Sequence, residues 1–160
     1  MKKLIQVISI SCIALLLSCN AQKRMSGNYS YETECMGVEL DGSQTVKAWG
    51  SGRNREDAIE QAKKNGVRDV LMKGISYGKN ECNVKPVLFE VNVQEKNETY
   101  FNKFFADNGE YKSFITGEDG SDLHISVLKG RKKAGDQVTY GVIIRVQRAK
   151  LKEKMIQDNI

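Results

Sequence analysis

The chain has 160 residues, 40% hydrophobic and 28% charged, with 25 Lys+Arg against 20 Asp+Glu and a formal net charge of +5. That length holds one domain, and the apolar fraction suffices for a packed core, which excludes wholesale disorder. A single Pro and 14 Gly exclude collagen-like and Pro-rich repeats, while composition alone points to no chemistry.

Met1, Lys2 and Lys3 make a short basic start, and residues 4–17 carry no charge. This run is interrupted by Gln6, Ser9 and Ser11 and falls short of the about 20 apolar residues that a span needs. It reads as the apolar region of an export signal. The run ends Leu16-Leu17-Ser18-Cys19, which resembles the lipobox of bacterial lipoproteins. The resemblance implies cleavage after residue 18 and acylation, palmitate included, at Cys19. Two or three acyl chains, at about 0.8 kcal/mol per buried CH₂, anchor a protein without spanning the bilayer. Residues 1–18 are then a lipoprotein signal peptide, 19–28 a flexible tether and 29–160 one globular domain. Cleavage removes two lysines and no acid, lowering the formal charge from +5 to +3. Lys23 and Arg24 stand where a basic pair meets anionic headgroups. Nucleic acid is not expected as a partner, because no basic motif is interleaved with aromatics. Asn20, not Asp, follows the lipidated Cys. By the lipoprotein resemblance this implies the outer membrane, facing the periplasm.

Of the four cysteines, Cys12 leaves with the signal and Cys19 takes lipid. Cys35 and Cys82 remain, an even pair in an oxidising compartment, so a disulfide is expected, with two buried free thiols as the alternative.

In chain order, residues 29–40 read as a strand, with Tyr29, Tyr31, Thr33 and Cys35 on one face and Met36, Val38 and Leu40 on the other. Asp41-Gly42 is a turn signal, and 43–50 returns as a second strand with Val46 and Ala48 on one side. Asn54 is a good N-cap, with acidic Glu56 and Asp57 in the first turn of the strongest helix. Ala58, Ile59, Ala62, Gly66, Val67, Val70 and Leu71 make its apolar stripe, small at the start so that the axis can approach a sheet. Val87, Phe89, Val91 and Val93 alternate as a half-buried strand. Residues 97–106 read as a helix with an aromatic stripe of Tyr100, Phe101, Phe104 and Phe105. Residues 123–128 and Val138 to Val146 alternate as a hairpin across a basic turn at 130–136. An amphipathic helix over 149–158 buries Leu151, Met155 and Ile156. The expected fold is α+β, one domain of about five mainly antiparallel strands in ββαβαββα order, with helices on one face.

Gly50-Ser51-Gly52 opens a helix, but Arg55 stands where a dinucleotide fingerprint needs its third Gly, and no P-loop Lys follows. A tight strand-to-helix turn is the expectation, with residual anion attraction at Arg53 and Arg55. His124 is the one histidine, so a Cys/His zinc site is not expected, and no GxSxG accompanies it. Glu32/Glu34 and Glu118/Asp119/Asp122 read as solvated surface. No metal, cofactor or catalytic residue is expected. Trp49 lies opposite Val46 and Ala48, either covering the sheet or meeting a ligand.

The runs WGSGRNREDAIEQAKKNGVRDVLMKGI and VTYGVIIRVQRAKLKEKM look like small bacterial lipoproteins of the LPP-twenty type. They also resemble the N-terminal domain of a flagellar assembly protein. The resemblance implies a helix packed on a sheet and a non-enzymatic accessory or scaffold role, binding another envelope protein. The alternative is a small-ligand or glycan-binding lipoprotein using an aromatic surface. Either would draw on Trp49, Tyr29, Tyr31, Arg53 and Arg55, the glycan reading adding the aromatic helix.

Overall fold

The Asp41-Gly42 turn joins β1 (Glu34–Val38) to β2 (Gln44–Gly52), as the sequence predicts. Gly42 takes φ +78°, a left-handed value that suits Gly. Asp41 Oδ1 accepts from the Ser43 amide at 2.9 Å and from its hydroxyl at 2.6 Å. The computed structural model describes residues 32–82, 85–117, 125–129 and 137–160.

The architecture is α+β, with a sheet of six strands in one domain. Residues after Gly52 form α1 (Arg55–Arg68), which runs into a π-helical turn over Asp69–Lys73. β3 (Tyr77–Gly78) pairs parallel to β1 through Glu34 and Cys35. Next come the short helices α2 (Val93–Lys96) and α3 (Glu98–Phe104), then a 3₁₀ turn over Glu110–Phe114. β4 (Ile115–Thr116), β5 (Ser126–Lys129) and β6 (Val138–Val146) precede α4 (Arg148–Gln157). The sheet order is β3-β1-β2-β6-β4, and β5 also pairs antiparallel with β6, which bears out the expected second hairpin.

Register separates the two faces. Val46 lies opposite Ile144, and Ala48 opposite Val142, all fully buried beneath α1. Trp49 lies opposite Gly141 on the other face, where its ring covers the glycine. A Cβ at Gly141 would stand 2.9 Å from Trp49 Cε3.

Helix α1 follows its sequence closely. Asn54 caps it by accepting from the Asp57 amide at 2.8 Å. Ala58, Ala62, Gly66 and Val67 are buried, and Ile59 is half-buried. A Cβ at Gly66 would come within 3.1 Å of Ala48 Cβ. At Gly50 a Cβ would collide with the α1 backbone at Ala58 and Ala62. The Gly-Ser-Gly run is thus a close backbone approach between strand and helix. Asn65 Nδ2 adds a polar clasp by donating to the Trp49 carbonyl at 2.8 Å.

The strand expected over 87–93 is not formed. The amides of Val87 and Leu88 donate to the carbonyls of Val70 and Leu71, at 3.1 and 2.8 Å, at the end of the helix. Those carbonyls belong to a helix terminus, which lacks enough intrahelical donors. Asn92 then turns left-handed at φ 60°, and Val93 starts α2. The alternation therefore marks burial at Val87 and Val93 and exposure at Phe89 and Val91, without a ladder. Two-residue strands β3 and β4 were not legible, being too short to show a period. In α4, Leu151 and Met155 are buried as expected, but Ile156 is 65% exposed. It sits one residue, about 100° around the helix, beyond Met155. Within the first expected strand, Tyr29 and Tyr31 lie outside the described residues, as do His124, Glu118, Asp119, Asp122 and the basic turn at 130–136.

One core unites both layers. Val67, Val70, Leu71, Phe101, Phe104, Tyr111, Ile144, Val146, Leu151 and Met155 all belong to it. Because a Cβ at Gly50 meets backbone rather than a side chain that can swing away, Gly50→Ala should cost about 3 kcal/mol. Urea unfolding checks this, and a midpoint equal to that of the unchanged protein would refute the close approach.

Candidate functional site

The aromatic helix and the C-terminal helix flank a concavity lined in part by aromatic side chains. On α3, Phe101 and Phe104 point into the core and are each 2% exposed, while Tyr100 is half-buried. Tyr100 stacks on Phe104 with centroids 5.9 Å apart and planes 16° apart. Its hydroxyl donates to Asp158 Oδ2 at 2.5 Å, beyond the end of α4. Lys154 Nζ bridges Asp158 at 3.1 Å and Glu110 at 2.9 Å. Together with Asn108 these residues surround about 610 Å³. That volume falls within the range of small-ligand sites.

The polar groups here hold one another in their charged or hydrogen-bonded forms. Burial, and then the hydrogen bond to Asp158, push the Tyr100 phenol well above its ordinary range. The hydrogen bond from Tyr100 lowers the Asp158 carboxyl against the opposing effect of desolvation, and Lys154 lowers it further. Bonds to Glu110 and Asp158 raise the Lys154 ammonium. At neutral pH the wall is therefore a neutral Tyr100 phenol beside the ionised Asp158 carboxylate and the Lys154 ammonium.

A second concavity of about 460 Å³ lies along α1, lined by Ser51, Arg53, Glu60, Lys64, Asp107 and Lys112. Its cations are answered: Lys64 meets Asp107 at 2.6 Å, Lys112 meets Glu60 at 2.7 Å, and Arg53 meets Asp57 at 3.4 Å. The fully buried Tyr111 donates its hydroxyl to Glu60.

The residues singled out from sequence do not form one cluster. Cys19, Tyr29 and Tyr31 lie outside the described residues. Trp49 covers Gly141 on the sheet face away from α1, whereas Arg55 sits 5.8 Å over Tyr140, which faces α1. Arg53 is exposed at the start of that helix. Cys35 and Cys82 come to disulfide distance, Cα to Cα 6.2 Å, both buried. Their bond ties the segment after β3 to β1, where the Lys79 amide also donates to the Cys35 carbonyl at 3.0 Å.

Sequence reasoning named the aromatic helix but not its partners Glu110, Lys154 and Asp158. Lys154 and Asp158 are an i, i+4 pair, a signal visible in sequence. Nothing in the sequence says that this pair meets Tyr100. A second missed feature is the loop before α2. Phe89 is 68% and Val91 78% exposed, between buried Val87 and Val93. Glu90 between them pairs with Lys96.

Among the described residues, no group of three His, Cys, Asp or Glu stands at metal-binding distance, and no helix is long and apolar enough to cross a membrane. Comparison with protein-family models, with curated proteins and with solved structures finds no match for this chain.

Two expectations follow from these groups. Burial opposes ionisation of Glu60, but hydrogen bonds from Lys112 and Tyr111 outweigh it and hold its pKa below the ordinary value. A depressed carboxyl stabilises the fold above its unfolded pKa, and that stability is lost as pH falls through the folded value. Glu60→Gln should therefore cost stability at pH 7 and little near pH 3; equal losses at both would refute the coupling. The loop closed by Cys35 and Cys82, 47 residues apart, corresponds to about 4 kcal/mol of chain entropy. The Cys35→Ser, Cys82→Ser double variant should lose most of it in urea unfolding, and an unchanged midpoint would count against a structural bond.

Proposed function

We propose that this chain is an exported, lipid-anchored envelope protein that binds another envelope protein and does not catalyse a reaction. The signal-like start and the Leu16-Leu17-Ser18-Cys19 run support the anchor, with Cys19 as the acylated residue. The Cys35–Cys82 geometry supports an oxidising compartment, since disulfides persist outside the cytosol. In this reading the protein sits on the outer membrane, facing the periplasm. Residues 19–28 would give the domain a tether with a reach of at most about 35 Å, at roughly 3.5 Å per extended residue.

The observation that carries partner binding is the loop holding Phe89 and Val91 outward. Its two ends are fastened, by the Val87 and Leu88 amides to the helix end and by buried Val93. An apolar pair presented on a fastened loop loses little entropy when a partner covers it. Neither side chain supports the fold, so the pair is free to serve recognition.

The test is a photo-crosslinking residue placed at Phe89 or Val91 in living cells, with exposed Lys152 as the control position. A single adduct of discrete mass from the loop positions, absent at 152 and lost in a Phe89→Ser, Val91→Ser chain, is the expected result. No adduct, or the same adducts from all three positions, would overturn the reading.

A further inference from the structure

The concavity between α3 and α4 has a chemistry that the Phe89–Val91 loop does not use, and we infer that it is a binding site for an acidic saccharide. This assignment is independent of the lipid anchor and of the protein partner.

One wall is a flat apolar surface. Tyr100 lies stacked on Phe104, and the hydrogen bond from its hydroxyl to Asp158 at 2.5 Å fixes how the ring is presented. A pyranose has a face of C–H groups that packs on such a ring and needs no polar partner there. A ring already held in place loses little freedom when the sugar arrives.

Beside that wall stand acceptors with capacity left over. Glu110 and Asp158 each receive Lys154, at 2.9 and 3.1 Å, and an ionised carboxylate offers about four lone-pair sites. Sugar hydroxyls are the complementary donors. Asn108 lines the same space and offers both an amide donor and an acceptor. An aromatic platform flanked by fixed carboxylates and an amide suits a polyhydroxylated ring better than a wholly apolar ligand, which would leave those groups without partners.

Charge sets the class of sugar. The ammonium of Lys154 is answered by two carboxylates. Lys103, exposed on the rim, forms no ion pair among the described residues. Formally the two lysines already offset the two carboxylates, so an acidic occupant is selected by one local contact, its carboxylate meeting the exposed Lys103 ammonium. Lys103 and Tyr100 also line a second concavity of about 640 Å³ towards α2, so the surface continues past the cation. That continuation fits more than one sugar ring.

The experiment uses the full chain in amine-oxide micelles, which carry no sugar headgroup. Two disaccharides serve as probes, neutral N,N′-diacetylchitobiose (hereafter chitobiose) and N-acetylglucosaminyl-N-acetylmuramic acid, which has the same two acetamido sugar rings plus a lactyl carboxylate. Amide resonances of Asn108 and Gly109 report the site, and succinate controls for a carboxylate without a sugar. We expect the acidic disaccharide to shift these resonances with a millimolar Kd and to bind more tightly than chitobiose. Lys103→Gln, a change at an exposed position, should weaken the acidic probe about tenfold and leave chitobiose unchanged, as loss of one charge-assisted contact implies. Tyr100→Phe, which keeps the ring but frees it from Asp158, should weaken both sugars. No shift with either disaccharide up to about 20 mM would overturn the site, that being far above any functional Kd. Equal binding of the two disaccharides, or an equal response to succinate, would overturn its assignment to an acidic sugar. Loss of the crosslink at Phe89 has no bearing on these readouts, so the two proposals fail separately.

Discussion

The seam between α1 and the sheet is the contact on which the other elements depend. It is built from residues with almost no side chain: Gly50 on β2, and Ala58, Ala62 and Gly66 on α1. They let the helix backbone touch the strand, so that Val46, Ala48, Val142 and Ile144 become fully buried. Interiors pack at crystal-like density, and a seam this close leaves no slack for repacking around an added methyl group. The helix is also clasped from its polar side, where Gln61 donates to Asn65 and Asn65 donates to the Trp49 carbonyl, both at 2.8 Å. The axis of α1 is thereby set against β2, and everything that follows α1 inherits its position.

The first heir is the π-helical turn. Thr33 donates to Asp69 at 2.5 Å at its start, and the Gly74 amide closes it on the Asp69 carbonyl at 2.7 Å. The carbonyls of Val70 and Leu71 then hold the chain at Val87 and Leu88. Arg148 spans the same junction, reaching the Val70 and Pro86 carbonyls at 3.4 Å each. Burial lowers its pKa, but a guanidinium stays protonated and can answer both acceptors. Since Arg148 begins α4, the junction also directs where Lys154 and Asp158 arrive. The groove by Tyr100 is thus a consequence of how one helix ends, several steps removed from its own side chains.

How much was legible varies by element for physical reasons. Asp41-Gly42 and Asn54 act through their own backbones and nearest neighbours, so local rules found them. The stripe of α1 and the alternation of β6 were legible because burial on one face imposes a period. The run at 87–93 shows the same period and is no strand. The amides of Val87 and Leu88 are taken by a helix end seventeen residues earlier in the chain, a competition that alternation cannot reveal. Ile156 looked buried because apolar residues cluster near it, yet its direction differs from that of Met155 by one helical step. The aromatic helix was visible, but the groove was not, because Tyr100 and Asp158 are 58 residues apart.

By itself the sequence determined the α+β class, the hairpin turn, the cap and face of α1, and the lipobox-like start from which the proposed anchor is drawn. Each of these is written in residues adjacent in the chain or repeated at a fixed period. Only the tertiary structure decided that Cys35 reaches Cys82, that Trp49 and Arg55 lie on different faces, that Phe89 and Val91 stand outward, and that Tyr100, Glu110, Lys154 and Asp158 share one concavity. Those are relations between distant segments. They exist only once the closeness of α1 to the sheet has placed the end of one element against the start of another.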